Sequence, residues 1–167
     1  LNTLLHETNE NDFNKLFSRI EKYENISDNM ELEIANYLNK VSEGRLSSES
    51  KLEIRGMLRE VTEIESIGDS CYNLARTINR KRSGGNDFTE KQYEHIHQMM
   101  QLTSDALAQM IAVVEDEHHV VDVNKSFNIE NEINNYRAQL KNQNVVDVNN
   151  KEYDYQMGVH YMDLIGE

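Results

Sequence analysis

The sequence predicts an all-α protein, an antiparallel bundle of long helices, from three observations. The 167 residues include no proline, where average usage gives about eight, and only seven glycines. Apolar residues recur at steps of three and four over long segments. No stretch shows the sustained alternation of a half-buried strand. Segments of about 30 residues predict helices about 45 Å long, and such helices pack antiparallel when short loops join them.

The first two segments each carry a single apolar stripe. The first covers 12–41, and Gly44 follows it as a helix stop. The second begins at an N-cap serine, either Ser47 or Ser48, because a serine oxygen accepts hydrogen bonds from the first backbone N–H groups of a helix. It ends at the glycine pair 84–85. These two segments therefore predict a long helical hairpin.

Further helical segments follow, each with a start signal or a turn before it. The pattern weakens around 118–122, and the segment after it is rich in asparagine, which lowers helix propensity. The predicted pieces are a third helix from Asp87 or Thr89 to about Val114, a fourth over 123–143 capped by Asp122, a turn over 147–150 and a fifth helix from Lys151 to the end.

Composition excludes several classes of function. A net charge of -13 repels phosphate backbones and anionic lipid, which argues against a nucleic-acid partner and against docking on a membrane surface. One cysteine, Cys71, cannot build a disulfide framework and indicates a reducing compartment. The longest apolar run, 110–114, is too short to span a membrane, and no signal-peptide core is present. We expect a soluble chain, without direct membrane insertion, that is not an enzyme, since phosphate-loop and nucleophile motifs are missing.

The distinctive local signal is a pair of carboxylates, Glu65 and Asp69, on one helix face beside the apolar stripe. Glu24 and Asp28 repeat this spacing in the first helix, and Glu31 extends their row. Clustered carboxylates at a helix seam repel one another unless protons or a cation neutralise them. The candidate metal ligands are therefore Glu65, Asp69, Glu24 and Asp28, with Mg²⁺, Ca²⁺, Mn²⁺ or iron as the bound ion. The alternative is that the pairs are solvated surface.

Three other features of the sequence have structural interpretations. Gly68 lies inside a helix, where glycine costs about 1 kcal/mol relative to alanine, so we expect a close approach at its backbone. A di-iron site would need Glu-x-x-His motifs on separate helices. The two that occur, ending at His97 and His118, lie about 32 Å apart on one predicted helix. Cys71 lies on an apolar face and is expected to pack.

The segment 63–75 resembles the signature of PhoU-type domains, a Leu-Glu-x-Ile-Gly-Asp core followed by an asparagine. Here Ile64 replaces the leucine, and Asn73 is the asparagine. The resemblance implies a three-helix bundle that occurs twice in tandem and takes part in regulating phosphate transport. It also implies that Glu65 and Asp69, and less securely Glu24 and Asp28, belong to motifs linked to bound metal.

The whole chain is more closely similar to the cytoplasmic PhoU-like region of bacterial sodium-dependent phosphate cotransporters. The segments that carry this similarity are 23–28 with 33–38, 130–137 and 153–163. The resemblance implies a regulatory domain on the cytoplasmic side of an inner-membrane protein. It also implies that the partner is the transmembrane part of the phosphate transporter. The sequence leaves open whether the chain forms a homodimer.

The resemblance implies two parts, a first three-helix bundle at 1–118 and two helices of an incomplete second repeat at 119–167. Aligning the apolar stripes of the two repeats places Glu167 opposite Glu63, so the chain stops just before a second acidic signature. We expect that the phosphate-translocating path lies elsewhere. The alternatives are a free-standing PhoU-type regulator, a ferritin-like metal-binding bundle and a purely structural helical spacer.

Overall fold

The structure is a computed structural model that describes residues 1–116 and 122–167. Within those residues the chain forms helices and no strand, which confirms the predicted all-α class. The helices are α1 (Asn2–His6), α2 (Glu10–Ser42), α3 (Ser48–Ser83), α4 (Glu90–Val114), α5 (Val123–Asn149) and α6 (Tyr155–Gly166). His118 and the predicted boundary between 118 and 119 lie outside the described residues, so the division into two repeats stays a prediction.

The chain divides into two compact units. Unit 1 holds Leu1 and Thr3–Arg76, and unit 2 holds Asn2 and Thr77–Glu167. Unit 1 therefore contains α2 and most of α3, whereas unit 2 contains the last turns of α3 together with α4, α5 and α6.

In unit 1, α2 and α3 run antiparallel. The ring of Phe17 lies 5.9 Å from that of Tyr72, whereas Glu31, further along α2, accepts a hydrogen bond from Thr62, earlier in α3. Near the loop that joins the two helices, Leu38 and Ile54 are buried. The predicted hairpin is thus present, and its acidic residues lie midway along it.

In unit 2, α4 packs against α5 and α6, and α5 packs against α6. Apolar side chains from these helices, from the last turns of α3 and from the connection between α3 and α4 fill the core. The buried members are Ile78, Phe88, Ile96, Met99, Leu140, Met157, Tyr161, Leu164 and Ile165.

Side-chain caps fix where the helices begin. Ser47 Oγ accepts a hydrogen bond from the backbone N–H of Ser50, and Thr89 forms a reciprocal capping box with Gln92. Asp122 caps α5, and Asp154 caps α6. These observations select Ser47 over Ser48 and Thr89 over Asp87, and they confirm the predicted cap at Asp122.

The predicted turn at 147–150 is wrong, since α5 continues to Asn149. Asp147 accepts a hydrogen bond from Gln143 one helical turn earlier and lies 3.7 Å from Lys91 Nζ of α4. These contacts outweigh the weak propensity of the Asp–Val–Asn–Asn stretch. The chain turns instead around Lys151, which has a φ of 61°, and α6 begins at Tyr155 rather than Lys151. The short helix α1 was not predicted.

Candidate functional site

The acidic residues of α2 form a ladder along the face that meets α3. Glu21, Glu24, Asp28 and Glu31 follow one another at steps of three and four, so their side chains line one side of the helix. All four are partly buried. The prediction named Glu24 and Asp28 as candidate ligands, and the same spacing would have added Glu21.

Side chains from α3 meet this ladder along its length. Tyr72 donates a hydrogen bond of 3.0 Å to Glu21 Oε1, and Thr62 donates one of 2.8 Å to Glu31 Oε1. Between these two contacts, Glu65 and Asp69 are close enough to act on the charges of Glu24 and Asp28. We call the six carboxylates the acidic seam: Glu21, Glu24, Asp28, Glu31, Glu65 and Asp69.

Gly68 allows the two helices to approach at the centre of the seam. A Cβ atom on Gly68 would lie 3.3 Å from Ser27 Oγ and 3.4 Å from Ser27 Cβ, tighter than an ordinary van der Waals contact. The close approach expected at this mid-helix glycine is therefore present. What approaches the backbone is the side chain of the neighbouring helix.

Desolvation and crowding of negative charge raise the pKa of two carboxyl groups in the seam. Desolvation raises the pKa of Glu65, and the charges of Glu31, Asp28 and Asp69, together with a hydrogen bond shared with Asp28, raise it further. Desolvation also raises the pKa of Glu24, followed by the charges of Asp28, Asp69 and Glu21. The structure therefore brings all four predicted residues together, and each added negative charge opposes the others.

The donor set of the seam is chemically suited to a hard cation, because carboxylate oxygens are the ligands that Mg²⁺, Ca²⁺ and Mn²⁺ prefer. Its side chains are not arranged as a closed coordination sphere. In residues 1–116 and 122–167, no group of three or more Asp, Glu, His or Cys side chains is spaced to hold a metal ion. Metal binding by Glu24, Asp28, Glu65 and Asp69 stays a prediction.

The remaining predicted features are the Glu-x-x-His motifs and Cys71. Glu94 and His97 are exposed on α4, and the His97 ring stacks on Tyr93 at 6.4 Å. The second Glu-x-x-His motif ends at His118, outside the described residues. Cys71 is half-buried, and burial raises the pKa of its thiol, as expected of a packed cysteine.

Unit 2 contains a partly buried polar cluster that was not predicted from the sequence. His95 Nδ1 of α4 lies 2.8 Å from the hydroxyl of Tyr161 of α6, and the His95 ring meets Tyr136 of α5 edge-on at 6.3 Å. The Tyr136 hydroxyl is buried, and it has no hydrogen-bond partner in the part of the chain that the structure describes. The only signal in the sequence was polar aromatic residues on otherwise apolar stripes.

Residues 3–78 match the family model described as PhoU domain. The match covers somewhat less than half of the chain and nearly coincides with unit 1, so it includes every residue of the acidic seam. Neither a search of curated proteins nor a search of solved structures found a match. Among the described residues, no helix combines the length and the hydropathy that crossing a bilayer requires.

Proposed function

We propose that this chain is a regulatory interaction domain that modulates phosphate uptake. The single observation that carries the proposal is the PhoU-domain match over residues 3–78, which places the acidic seam inside the matched region. The PhoU description suggests a role in regulating phosphate transport rather than in catalysis.

The more specific form of the proposal is a domain on the cytoplasmic side of a bacterial sodium-dependent phosphate cotransporter. Its support is the similarity of segments 23–28, 33–38, 130–137 and 153–163 to the PhoU-like region of those transporters. The partner in this form is the transmembrane part of the transporter.

A divalent or iron cation at the acidic seam would give the domain a way to respond to its surroundings. Glu24 and Asp28 of α2, with Glu65 and Asp69 of α3, would hold the ion after rotation of their side chains. The ion would supply the positive charge that the seam lacks, since none of its carboxylates pairs with a cation among the described residues. Binding would stabilise α2 against α3.

A transport assay tests the regulatory role. Phosphate uptake and its response to external phosphate would be compared for the parent transporter with and without this region, at matched membrane abundance. We expect uptake to lose its response when the region is deleted. Unchanged uptake and unchanged response would overturn the proposal.

A metal-binding measurement tests the seam. The purified chain would be titrated calorimetrically with Mn²⁺ and Mg²⁺, and its metal content would be measured after growth in manganese or iron. We expect Glu65→Ala and Asp69→Ala to abolish the bound ion, whereas Glu63→Ala, which lies on α3 and pairs with Arg59 at 3.9 Å, leaves it unchanged. Metal content that the first two substitutions do not alter would remove the proposed site. Stoichiometric iron storage would instead favour the ferritin-like alternative.

The free-standing regulator remains the competing form of the same function. The reading frame upstream of Leu1 distinguishes the two, because a run of apolar helices there supports attachment to a transporter and a start codon near Leu1 supports a separate protein.

A further inference from the structure

The hairpin of unit 1 carries an exposed apolar stripe on each helix. On α2, Tyr23, Met30 and Tyr37 recur every seven residues, and Met30 is 55% exposed. On α3, Met57 and Ile64 share the same spacing, and Ile64 is 56% exposed. Single exposed apolar residues are normal, but two stripes at heptad spacing are the pattern of helices that lack a partner.

The two stripes lie on the same side of the hairpin. Ser27 lies four residues after Tyr23 and three before Met30, so the three side chains share one face of α2. On α3, Gly68 lies one turn after Ile64. The Ser27 side chain lies against Gly68. The stripes therefore border a common groove, which runs for about 21 Å between residues 23 and 37 of α2.

Carboxylates border this groove, two near its middle and one towards the loop between α2 and α3. Glu33 is within one turn of both Met30 and Tyr37, and on α3 Glu53 and Glu60 are each within one turn of Met57. All three are exposed, and none has a cation within ion-pair distance in the described part of the chain. The cations of α2 that lie along the groove are at its ends, where Arg19 stacks over Tyr23 and Lys40 follows Tyr37.

We infer that this groove binds an amphipathic helix that presents an apolar stripe flanked by lysine or arginine. The apolar stripe would cover Tyr23, Met30, Tyr37, Met57 and Ile64, and the basic flanks would neutralise Glu33, Glu53 and Glu60. A second copy of this chain fits poorly, because it would bring its own acidic border and a net charge of -13 against this one.

The inference deepens the proposed function, on which it rests for the source of the helix. Cytoplasmic segments of membrane proteins carry an excess of lysine and arginine, so a basic helix is what the cytoplasmic face of a transporter offers. The groove and its acidic border are properties of unit 1 and do not depend on that source.

Binding of a designed peptide tests the groove on the full chain. The probe has three heptads, about 21 residues, with leucine at the a and d positions and lysine on both flanks, and its labelled form is followed by fluorescence anisotropy. A matched peptide with glutamate on the flanks should bind at least about tenfold more weakly, and raising the salt concentration should weaken the lysine peptide selectively. Equal binding of the two peptides would overturn the inference.

Matched substitutions locate the binding surface. Met30→Ser and Ile64→Ser should each weaken binding of the lysine peptide by about tenfold or more, since each removes a large apolar contact. Leu32→Ser is the control, because Leu32 is 59% exposed on α2 but lies on the opposite side from Met30, and it should leave binding unchanged.

A charge reversal completes the test. Glu60→Lys should weaken binding severalfold, whereas Glu152→Lys, which changes the net charge equally but lies in unit 2, should not. Equal losses from Leu32→Ser and Met30→Ser, or a peptide that drives formation of a dimer of this chain, would overturn the inference. Those results would leave the transport assay, and with it the proposed regulatory role, unaffected.

Discussion

The two units differ in how far they bury apolar side chains of the same type. Ile96, on α4 of unit 2, is 2% exposed, whereas Ile64, on α3 of unit 1, is 56% exposed. Both lie on the apolar stripe of a long helix. The difference is that α4 has α5 and α6 packed against it, while the seam between α2 and α3 covers only one side of each helix.

Two helices cannot bury two complete stripes, because each helix shields only the side that faces its neighbour. In unit 1 the middle of that shielded side is acidic, so apolar burial contributes less to the hairpin there than it does to unit 2. Unit 2 is therefore the unit with the larger buried apolar core, and unit 1 leaves more of its large apolar side chains exposed. Three pairs of substitutions and one pH series test this contrast between the units, from the largest expected effect to the smallest.

Truncation of matched isoleucines should separate the units most strongly. Ile96→Ala removes a fully buried side chain and should lower the free energy of unfolding by about 2–5 kcal/mol. Ile64→Ala removes a mostly exposed one and should change it by no more than about 0.5 kcal/mol. Urea denaturation followed by circular dichroism measures both. Similar losses for the two variants would show that Ile64 is covered in solution.

Alanine at two close-approach glycines gives the next largest effect. A Cβ on Gly158 of α6 would lie 2.8 Å from Val148 Cγ2 of α5, so Gly158→Ala should cost about 1–3 kcal/mol through overpacking. At Gly68 the nearest contact is the Ser27 side chain at 3.3 Å. There the strain is offset by the helix propensity of alanine, about 1 kcal/mol, and the net change should be small. Thermal unfolding of both variants makes the comparison, and a larger loss at Gly68 would contradict it.

Removal of helix caps should have a smaller effect, again larger in unit 2. Thr89→Ala breaks a reciprocal capping box and should cost about 1 kcal/mol. Ser47→Ala removes a single cap hydrogen bond at the exposed start of α3 and should cost about 0.5 kcal/mol. Native-state hydrogen exchange of the first turns of α4 and α3 reports each loss locally. Equal loss of protection at the two sites would mean that the capping box adds nothing.

The pH dependence should have opposite signs in the two units. Burial lowers the pKa of His95, with Lys91 lowering it further and Glu94 and Asp147 opposing. The unfolded chain then binds the proton more tightly, so this contribution to stability is lost as pH falls from the ordinary value of 6.5 through the folded pKa.

In unit 1 the pKa of Glu65 is raised, so the folded state binds the proton more tightly than the unfolded chain does. Stability from this group is fully present below its ordinary value of 4.5 and is lost as pH rises through the folded pKa. Urea midpoints measured across both ranges should lose the first dependence in His95→Asn and the second in Glu65→Gln. If a variant shows the same pH dependence of the urea midpoint as the wild type, that result would contradict the assignment of this dependence to the substituted residue.

Local signals account for most of what could be predicted. Periodicity predicted α2, α3 and α4 to within a few residues, because their apolar stripes are long and regular. Caps at Ser47, Thr89 and Asp122 were readable because a capping side chain acts on backbone groups two or three residues away. The shared face of Glu24 with Asp28, and of Glu65 with Asp69, followed from helix geometry alone.

Contacts between distant residues decided the rest. The sequence by itself determined that the protein is helical and that four carboxylates occur in two matched pairs. Only the tertiary structure decided that the pairs face each other, that Asp147 continues α5 through its contact with Lys91, and that His95 meets Tyr136 and Tyr161. The physical reason is that propensity and capping act within one or two helical turns, whereas burial and charge crowding depend on which side chain another helix supplies.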